Sequence, residues 1–550
     1  PGSAACEKRC VAYEIPAWDA TKCVECYECS LVCPHAAIRP YVATADELAG
    51  APTAFATKPA RLPQLAGMAF RIQVYPEDCV GCGSCADNCP APGKALTMQP
   101  LASQLATQKE NLAFAQANIA LKDDRVPTDS VPGTQLQKPL LEFSGCCGGC
   151  GETPYVKLLT QLFGDRLIIA NATGCSSIWG AYMPSMPYTV KPNGHGPAWG
   201  NSLFEDNGEF GYGVAKAVKV RRRHLTDLVK RAVGATGENA GTARAVSVWG
   251  NLSRPSAGSG TEQCASAVPV ATLDGLKRAP AEDGAERSEE STGPVFSPAT
   301  TALLSGWLAV ADDSALAYGA GQAAQTALRA ERHSLAPESP AADLADEILD
   351  YGEMFGVKSI WAVGGDGWAY DIGFGGLDEV LASGENINVL VLDTEGYSNT
   401  GGEMSKATEL SSVSGFTLDG KPTPRKDLGR MMMQYGYVYV AQVCLGANMG
   451  QTIAALREAE AYDGPSIVIA LCPCISWGIK GGMSTNLRVA REGVEAGYWP
   501  LFRFNPQRAT VGHDPLTVDY RAPDGHLDDF LNRQDRFTSL LARDPARART

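Results

Sequence analysis

The chain contains no run of about 18 apolar residues, the length a membrane-spanning helix needs, so no transmembrane segment is expected. Positive charge is scarce. Lys and Arg number 47 against 61 Asp and Glu, and the formal net charge is −14. No basic field draws in phosphate backbones, so nucleic acid is not an expected partner. Histidine is rarer still: six in 550 residues, none at metal-ligand spacing. Pro1-Gly2-Ser3-Ala4-Ala5 carries neither an initiating Met nor the apolar core of a secretory signal.

Cysteine is abundant. Eighteen residues are Cys, and eight of them fall into two matching runs. The first is Cys23, Cys26, Cys29 and Cys33, followed by Pro34; the second is Cys79, Cys82, Cys85 and Cys89, followed by Pro90. Both have the C-x2-C-x2-C-x3-C-P spacing of two-cluster bacterial ferredoxins, in which the fourth Cys of each run ligates the other cluster. Two [4Fe–4S] clusters are therefore expected, one on Cys23, Cys26, Cys29 and Cys89, the other on Cys79, Cys82, Cys85 and Cys33. A zinc ribbon would use two separated pairs, not two unbroken runs of four. Cluster thiolates need a reducing compartment, and the cytoplasm is the natural one.

The rest of the chain changes pattern. Residues 101–137 read as one or two linking helices and a Pro-rich loop. Short apolar runs at 165–171, 359–363, 388–392 and 466–471 read as buried strands, with helical spacing over 451–462. Strands alternating with helices predict a parallel α/β sheet, whose ligands bind at the carboxyl ends of the strands. The polar stretch 275–294 is expected to be a mobile surface loop. No chemistry is evident after Pro506. The expected organisation is a small α+β two-cluster ferredoxin-like domain at 1–100 and a linker at 101–138. An α/β domain follows at 139–510, and an extension at 511–550.

A second constellation follows the strands. Gly364-Gly365-Asp366-Gly367-Trp368 succeeds one strand, and Asp393-Thr394-Glu395-Gly396-Tyr397-Ser398-Asn399 succeeds the next. This is the diphosphate-and-magnesium pattern of thiamine diphosphate enzymes. Glycines let backbone N–H groups approach phosphate oxygens. Asp366, Thr394 Oγ1 and the Gly396 carbonyl offer the hard oxygens that Mg²⁺ prefers. Asn399 is placed to hydrogen-bond substrate or cofactor. Cys147, Cys150, Cys175 and Cys474 can supply the four thiolates of a third [4Fe–4S] cluster, although spacing alone carries this only part of the way.

Several stretches resemble the C-terminal half of the pyruvate:ferredoxin (flavodoxin) oxidoreductases, within the 2-oxoacid:ferredoxin oxidoreductase family. They are PHAAIRP, the two cysteine runs, FSGCCGGCGETPY, LFGDRLIIANATGCSSIWG, GPAWGNSLFEDNGEFGYG, GGDGWAYDIGFGGLDEVLASG, DTEGYSNTGGEMSKAT and GYWPLFRFNP. The resemblance implies a thiamine-diphosphate-binding fold, and a third cluster on Cys147, Cys150, Cys175 and Cys474 next to the thiamine. It implies a cofactor site lined by Glu152, Cys175, Gly365 to Trp368 and Thr394 to Asn399, with Mg²⁺ on Asp366, Thr394 and Gly396. Position 396 is Gly where the family usually has a larger residue, a change a backbone ligand survives. Cys146 replaces a small residue and is not an expected ligand.

The activity implied is oxidative decarboxylation of pyruvate to acetyl-CoA and CO2. Electrons would pass singly through three clusters to ferredoxin or flavodoxin, and the reaction can be reversible. In that family a carboxylate for thiamine activation, and an Arg and a Thr that grip pyruvate, come from an N-terminal domain. This chain is therefore expected to need that domain or a partner subunit, within a homodimer of the complete enzyme. Other 2-oxoacids (2-oxoglutarate, 2-oxobutyrate, oxalate) are the alternative substrates. A polyferredoxin electron carrier is the alternative class, and it leaves the Gly-Asp-Gly loop unexplained.

Overall fold

The computed structural model describes residues 1–182, 184–234, 294–523 and 525–548. Cys264 and the loop expected at 275–294 lie outside them, apart from Pro294. The chain divides into two compact units, Pro1–Ala215 with Ser359–Thr550, and Lys216–Lys358. These edges differ from those expected from the sequence. The cysteine runs and the α/β sheet share one unit, and a helical segment interrupts it.

The first unit is built on one eight-stranded sheet. Its strands are β1 (Leu167–Asn171), β2 (Ala198–Asn201), β3 (Ser359–Gly365), β4 (Asn388–Asp393), β5 (Tyr439–Val443), β6 (Ser466–Leu471), β7 (Phe502–Phe504) and β8 (Leu516–Val518). The spatial order is β8-β7-β5-β6-β4-β3-β1-β2. The six strands from β5 to β2 are parallel, and β7 and β8 add an antiparallel edge.

Side chains alternate along each strand, so each central strand feeds two cores. Trp361, Val363, Leu390 and Leu392 face one, with Leu158 and Leu159 of helix Thr153–Phe163 and Ile453 and Leu456 of helix Met449–Ala461. Ala362, Val389 and Val391 face the other, with Leu377 and Leu381 of helix Phe374–Ala382. Both faces are covered by helices, as a parallel sheet requires. The four strands expected from the sequence are present. The short strands β2, β7 and β8 were not expected, nor was β5.

The cysteine runs occupy a smaller α+β region. Glu14–Trp18 pairs antiparallel with Leu96–Pro100. Ile38–Ala43, Ala69–Val74 and Lys58–Pro59 form a second small sheet from the segment between the runs. Helix Leu101–Asn118 follows, then the short helix Val131–Gln135. Leu31, inside the first run, is buried in the same core as helix Thr153–Phe163. This places the ferredoxin-like region directly on the sheet.

The second unit includes helices Pro298–Val310, Ala317–Arg332 and Pro340–Asp350. They close over Leu225, Trp307, Leu328, Ile348 and Phe355. Trp307 is fully buried, and its Nε1–H donates to the Phe355 carbonyl at 2.9 Å. Among the described residues no helix is long and apolar enough to cross a membrane.

Trp307→Ala leaves a large cavity and an unpaired carbonyl. It is expected to cost about 3–5 kcal/mol. Limited proteolysis with fragment mapping should show new cleavage within 216–358 and an intact first unit.

Candidate functional site

Parallel strands all end on one edge. There β1 leads to Cys175, β3 to Asp366, β4 to Thr394 and β6 to Cys474. In the sheet these four strands are consecutive neighbours, β6-β4-β3-β1. Strand spacing of about 4.8 Å therefore brings together residues up to 299 positions apart in the chain, Cys175 to Cys474.

Asp366, Thr394 and Gly396 form one oxygen cluster. Thr394 Oγ1 lies 3.1 Å from Asp366 Oδ1 and 3.0 Å from the Gly396 carbonyl oxygen. Octahedral Mg²⁺ with oxygens at about 2.0–2.1 Å has edges of about 2.9 Å, so this donor set fits that ion. Ser405 donates to Asp366 Oδ2 and holds the carboxyl in place. Asp366 is fully buried. Burial, then the neighbouring Asp393, pushes its carboxyl well above the usual range. A bound cation would offset both effects.

Tyr397 lies over Gly367. A Cβ there would approach the Tyr397 ring to 2.6 Å. The backbone after Asp366 runs through one widened turn, Gly367–Ile372, before helix Phe374–Ala382. Such π-type turns are common at functional sites. Trp368 is buried, and its Nε1–H has no partner among the described residues.

Thr394, Ser398 and Asn399 border a cavity of about 140 Å³ that is also lined by Glu152, Cys147, Cys150, Cys175 and Cys474. The four cysteines expected to hold a third cluster thus meet the Thr394–Asn399 loop in one space. Cys146 and Trp179 border it as well. Trp179 Nε1–H donates to Glu152 Oε2 at 2.9 Å, and burial pushes that carboxyl up to about 7. The Glu152 N–H points to Cys150 Sγ at 3.4 Å, and the Ser476 N–H to Cys474 Sγ at 3.5 Å.

Glu395, expected to line the cofactor, turns its carboxylate away from this cavity. It sits in left-handed backbone (φ 61°) between Thr394 and Gly396. Arg425 and Arg536 both pair with it, and the Tyr498 hydroxyl donates to both its oxygens at 2.8 Å. Arg536 comes from the C-terminal helix Asp535–Arg543, in the region where the sequence showed no chemistry. Its guanidinium stacks 3.9 Å over Trp477, whose Nε1–H donates to the Thr394 carbonyl. No role was expected from the sequence for Arg536, Trp179 or Ser405, since each acts through a contact distant in the chain.

The two runs fold as repeats. Cys23, Cys26, Cys29 and Cys89 surround one small space, and Cys33, Cys79, Cys82 and Cys85 another. These are the two crossed sets expected from spacing. Among the described residues no three His, Cys, Asp or Glu side chains are placed for a single ion. Four thiols around a void suit a polynuclear group with a sulfur ligand at each corner.

The backbone repeats too. Glu25 and Tyr27 have φ of 57° and 63°, and the matching Gly81 and Gly83 have 71° and 80°. Left-handed residues turn successive N–H groups inward, making an anion-holding concavity. Glu25 is held there by the Arg61 N–H, and Tyr27 by packing on Phe70. Burial pushes the Cys26 and Cys79 thiols up to about 12, so it favours the neutral thiol at those two positions.

Comparison with known proteins agrees with this division. Residues 22–93 match the family model "4Fe-4S dicluster domain", and residues 353–470 match "Thiamine pyrophosphate enzyme, C-terminal TPP binding domain". The chain thus joins an iron–sulfur dicluster domain to a thiamine pyrophosphate-binding domain. Along its whole length it is a homologue of the pyruvate:ferredoxin and pyruvate-flavodoxin oxidoreductases. It is 48% identical to pyruvate:ferredoxin oxidoreductase of Moorella thermoacetica, over 100% of this chain and 41% of that one. It is 43% identical to pyruvate-flavodoxin oxidoreductase of Klebsiella pneumoniae, over 98% of this chain and 40% of that one. It is also 43% identical to the mitochondrial pyruvate dehydrogenase [NADP(+)] of Euglena gracilis, over 98% of this chain and 26% of that one. The chain therefore spans about two fifths of the first two relatives. A solved 2-oxoglutarate:ferredoxin oxidoreductase from Magnetococcus marinus overlaps 32% of this chain and 62% of that one at 20% identity. Its TM-score of 0.21 is too low to carry an argument.

Gly81→Ala places a Cβ 2.8 Å from the Glu14 carbonyl, at a φ that disfavours Ala. The expected outcome is loss of about four iron atoms per chain by colorimetric assay, with the Gly67→Ala control unchanged. Gly67 also has positive φ, but nothing lies within 4 Å of its Cβ position.

Proposed function

We propose that this chain is the cofactor-and-cluster half of a pyruvate:ferredoxin-type oxidoreductase, the part that binds thiamine diphosphate and exports its electrons. One observation carries this reading. A single cavity joins the Thr394–Asn399 loop, which pairs with Asp366, to Cys147, Cys150, Cys175 and Cys474. A pure electron carrier has no use for the first half of that pair.

Thiamine diphosphate, when bound, supplies an electron sink for cleaving the carboxyl group from a 2-oxoacid. Asp366, Thr394 and the Gly396 carbonyl would hold Mg²⁺ against the diphosphate. The Ser405 hydroxyl and the Trp477 indole fix two of those donors in place. Asn399 sits exposed at the cavity rim, where it can orient the reacting acid. Glu152 and Trp179 close the cavity on the cysteine side and help to keep water out. Glu152, raised toward neutrality, can hold a proton there.

The three cysteine sets would hold the groups that carry electrons outward, one at a time and in a fixed order. The third cysteine set stands at the cofactor cavity. Its loop packs on the ferredoxin-like region, where a Cβ on Gly148 would lie 3.3 Å from Cys82 Cβ. The set of Cys33, Cys79, Cys82 and Cys85 comes next, and that of Cys23, Cys26, Cys29 and Cys89 is the exit. A ferredoxin or flavodoxin is the proposed acceptor, pyruvate and CoA the substrates, and a reducing cytoplasm the setting. The carboxylate that activates thiamine, and the Arg and Thr for pyruvate, are proposed to come from a further N-terminal domain or subunit, within a homodimer.

The anaerobically isolated chain is expected to hold about twelve iron atoms and to bind thiamine diphosphate only with Mg²⁺. Asp366→Asn should weaken that binding at least tenfold by calorimetry while leaving iron unchanged. The chain alone should not reduce viologen with pyruvate. An iron count near eight would remove the third cluster, and full activity without a partner would remove the need for the N-terminal part.

A further inference from the structure

Lys157 is a buried charge that the proposed mechanism does not use. It stands in helix Thr153–Phe163 and is 2% exposed. A buried ammonium ordinarily faces a carboxylate, because burying an unpaired charge is costly. Lys157 has no carboxylate partner among the described residues. Its Nζ donates instead to the carbonyl oxygens of Ser30 and, at 2.9 Å, of Cys33. The ionisable groups near it are Cys33, Arg39 and Cys29. Arg39 is itself paired with Glu142, so it is not seeking a partner. What remains opposite Lys157 is cysteine sulfur.

The two carbonyls are not equivalent. Ser30 follows Cys29, a member of the outer set. Cys33 belongs to the inner set of the ferredoxin-like region. The ammonium therefore sits where the first run crosses from one set to the other, and it is delivered there by a helix of the sheet domain.

We propose that Lys157 is the shared counter-charge of the two dicluster groups and sets how readily each accepts an electron. The inference rests on the reading that both cysteine sets hold [4Fe–4S] clusters. Four thiolates around such a core leave it anionic. Reduction takes one electron from the upstream donor, moves no proton, breaks no bond and adds one further negative charge. A buried cation nearby stabilises the reduced form more than the oxidised form, so Lys157 holds both potentials up. Water does not screen the effect, because the ammonium is enclosed. Lys157 is thus a positioning residue for electrons, and its action on the reaction is indirect.

The test is an EPR-monitored redox titration of the anaerobically isolated 550-residue chain, compared with Lys157→Met, Lys157→Gln and Lys157→Arg. Met replaces the ammonium with an apolar chain of similar length, and Gln keeps a donor without the charge. Both neutral variants are expected to lower the two midpoints. A tenfold fall in the reduction equilibrium constant corresponds to about 59 mV for one electron. Arg is expected to restore them. Normal iron with unchanged midpoints in Met or Gln overturns the proposal. So does loss of iron from both, because Lys157 is then a residue of assembly. Absence of reducible clusters in the unaltered chain overturns the cluster reading itself.

Discussion

All six parallel strands of the sheet end at one edge, and neighbours stand about 4.8 Å apart. That constraint governs the site. Four loops leaving neighbouring strands must meet, whatever their separation in the chain. Cys175, Asp366, Thr394 and Cys474 come from 172–175, 366, 394 and 472–474, one after each of β1, β3, β4 and β6. Helices cover both faces, the cavity forms at that edge, and the helix Thr153–Phe163 brings the CxxC loop to it.

Buried charge is the second theme. Asp393, Glu395, Arg425 and Arg536 form one enclosed network beneath the Thr394–Asn399 loop. Such networks are rarely a net source of stability, since desolvation offsets the attraction. Their effect here is to fix geometry. Glu395 is held in left-handed backbone, and the residues on either side, Thr394 and Gly396, keep their oxygens about one octahedral edge apart. The C-terminal helix takes part through Arg536, which ties a segment without motifs to the centre of the site.

The cysteine runs show a different economy. In the second run Gly81 and Gly83 take the left-handed positions at little steric cost. In the first run Glu25 and Tyr27 occupy the same positions and are held by side-chain contacts. The repeat therefore conserves backbone shape while differing in how that shape is secured. Burial pushes up the Cys29 and Cys85 thiols, one in each set, so both sites would gain from a group that brings positive metal charge.

Much was legible in the residues themselves. The eight-cysteine spacing predicted two crossed sets, because a ferredoxin run leaves its fourth Cys pointing to the other cluster, and the fold groups the cysteines in those sets. The Gly-Asp-Gly loop and four apolar strands were readable because local pattern dictates them. Strands β2, β7 and β8 were not, being three or four residues long, and neither was the order of the sheet. Gathering Cys147, Cys150, Cys175 and Cys474 around one cavity, turning Glu395 away from it, and sending Arg536 and Lys157 to distant partners were decided by tertiary structure alone. Sequence specifies contacts within a turn or a strand. Contacts across hundreds of residues arise only when a sheet edge or a packed helix brings them within hydrogen-bond reach.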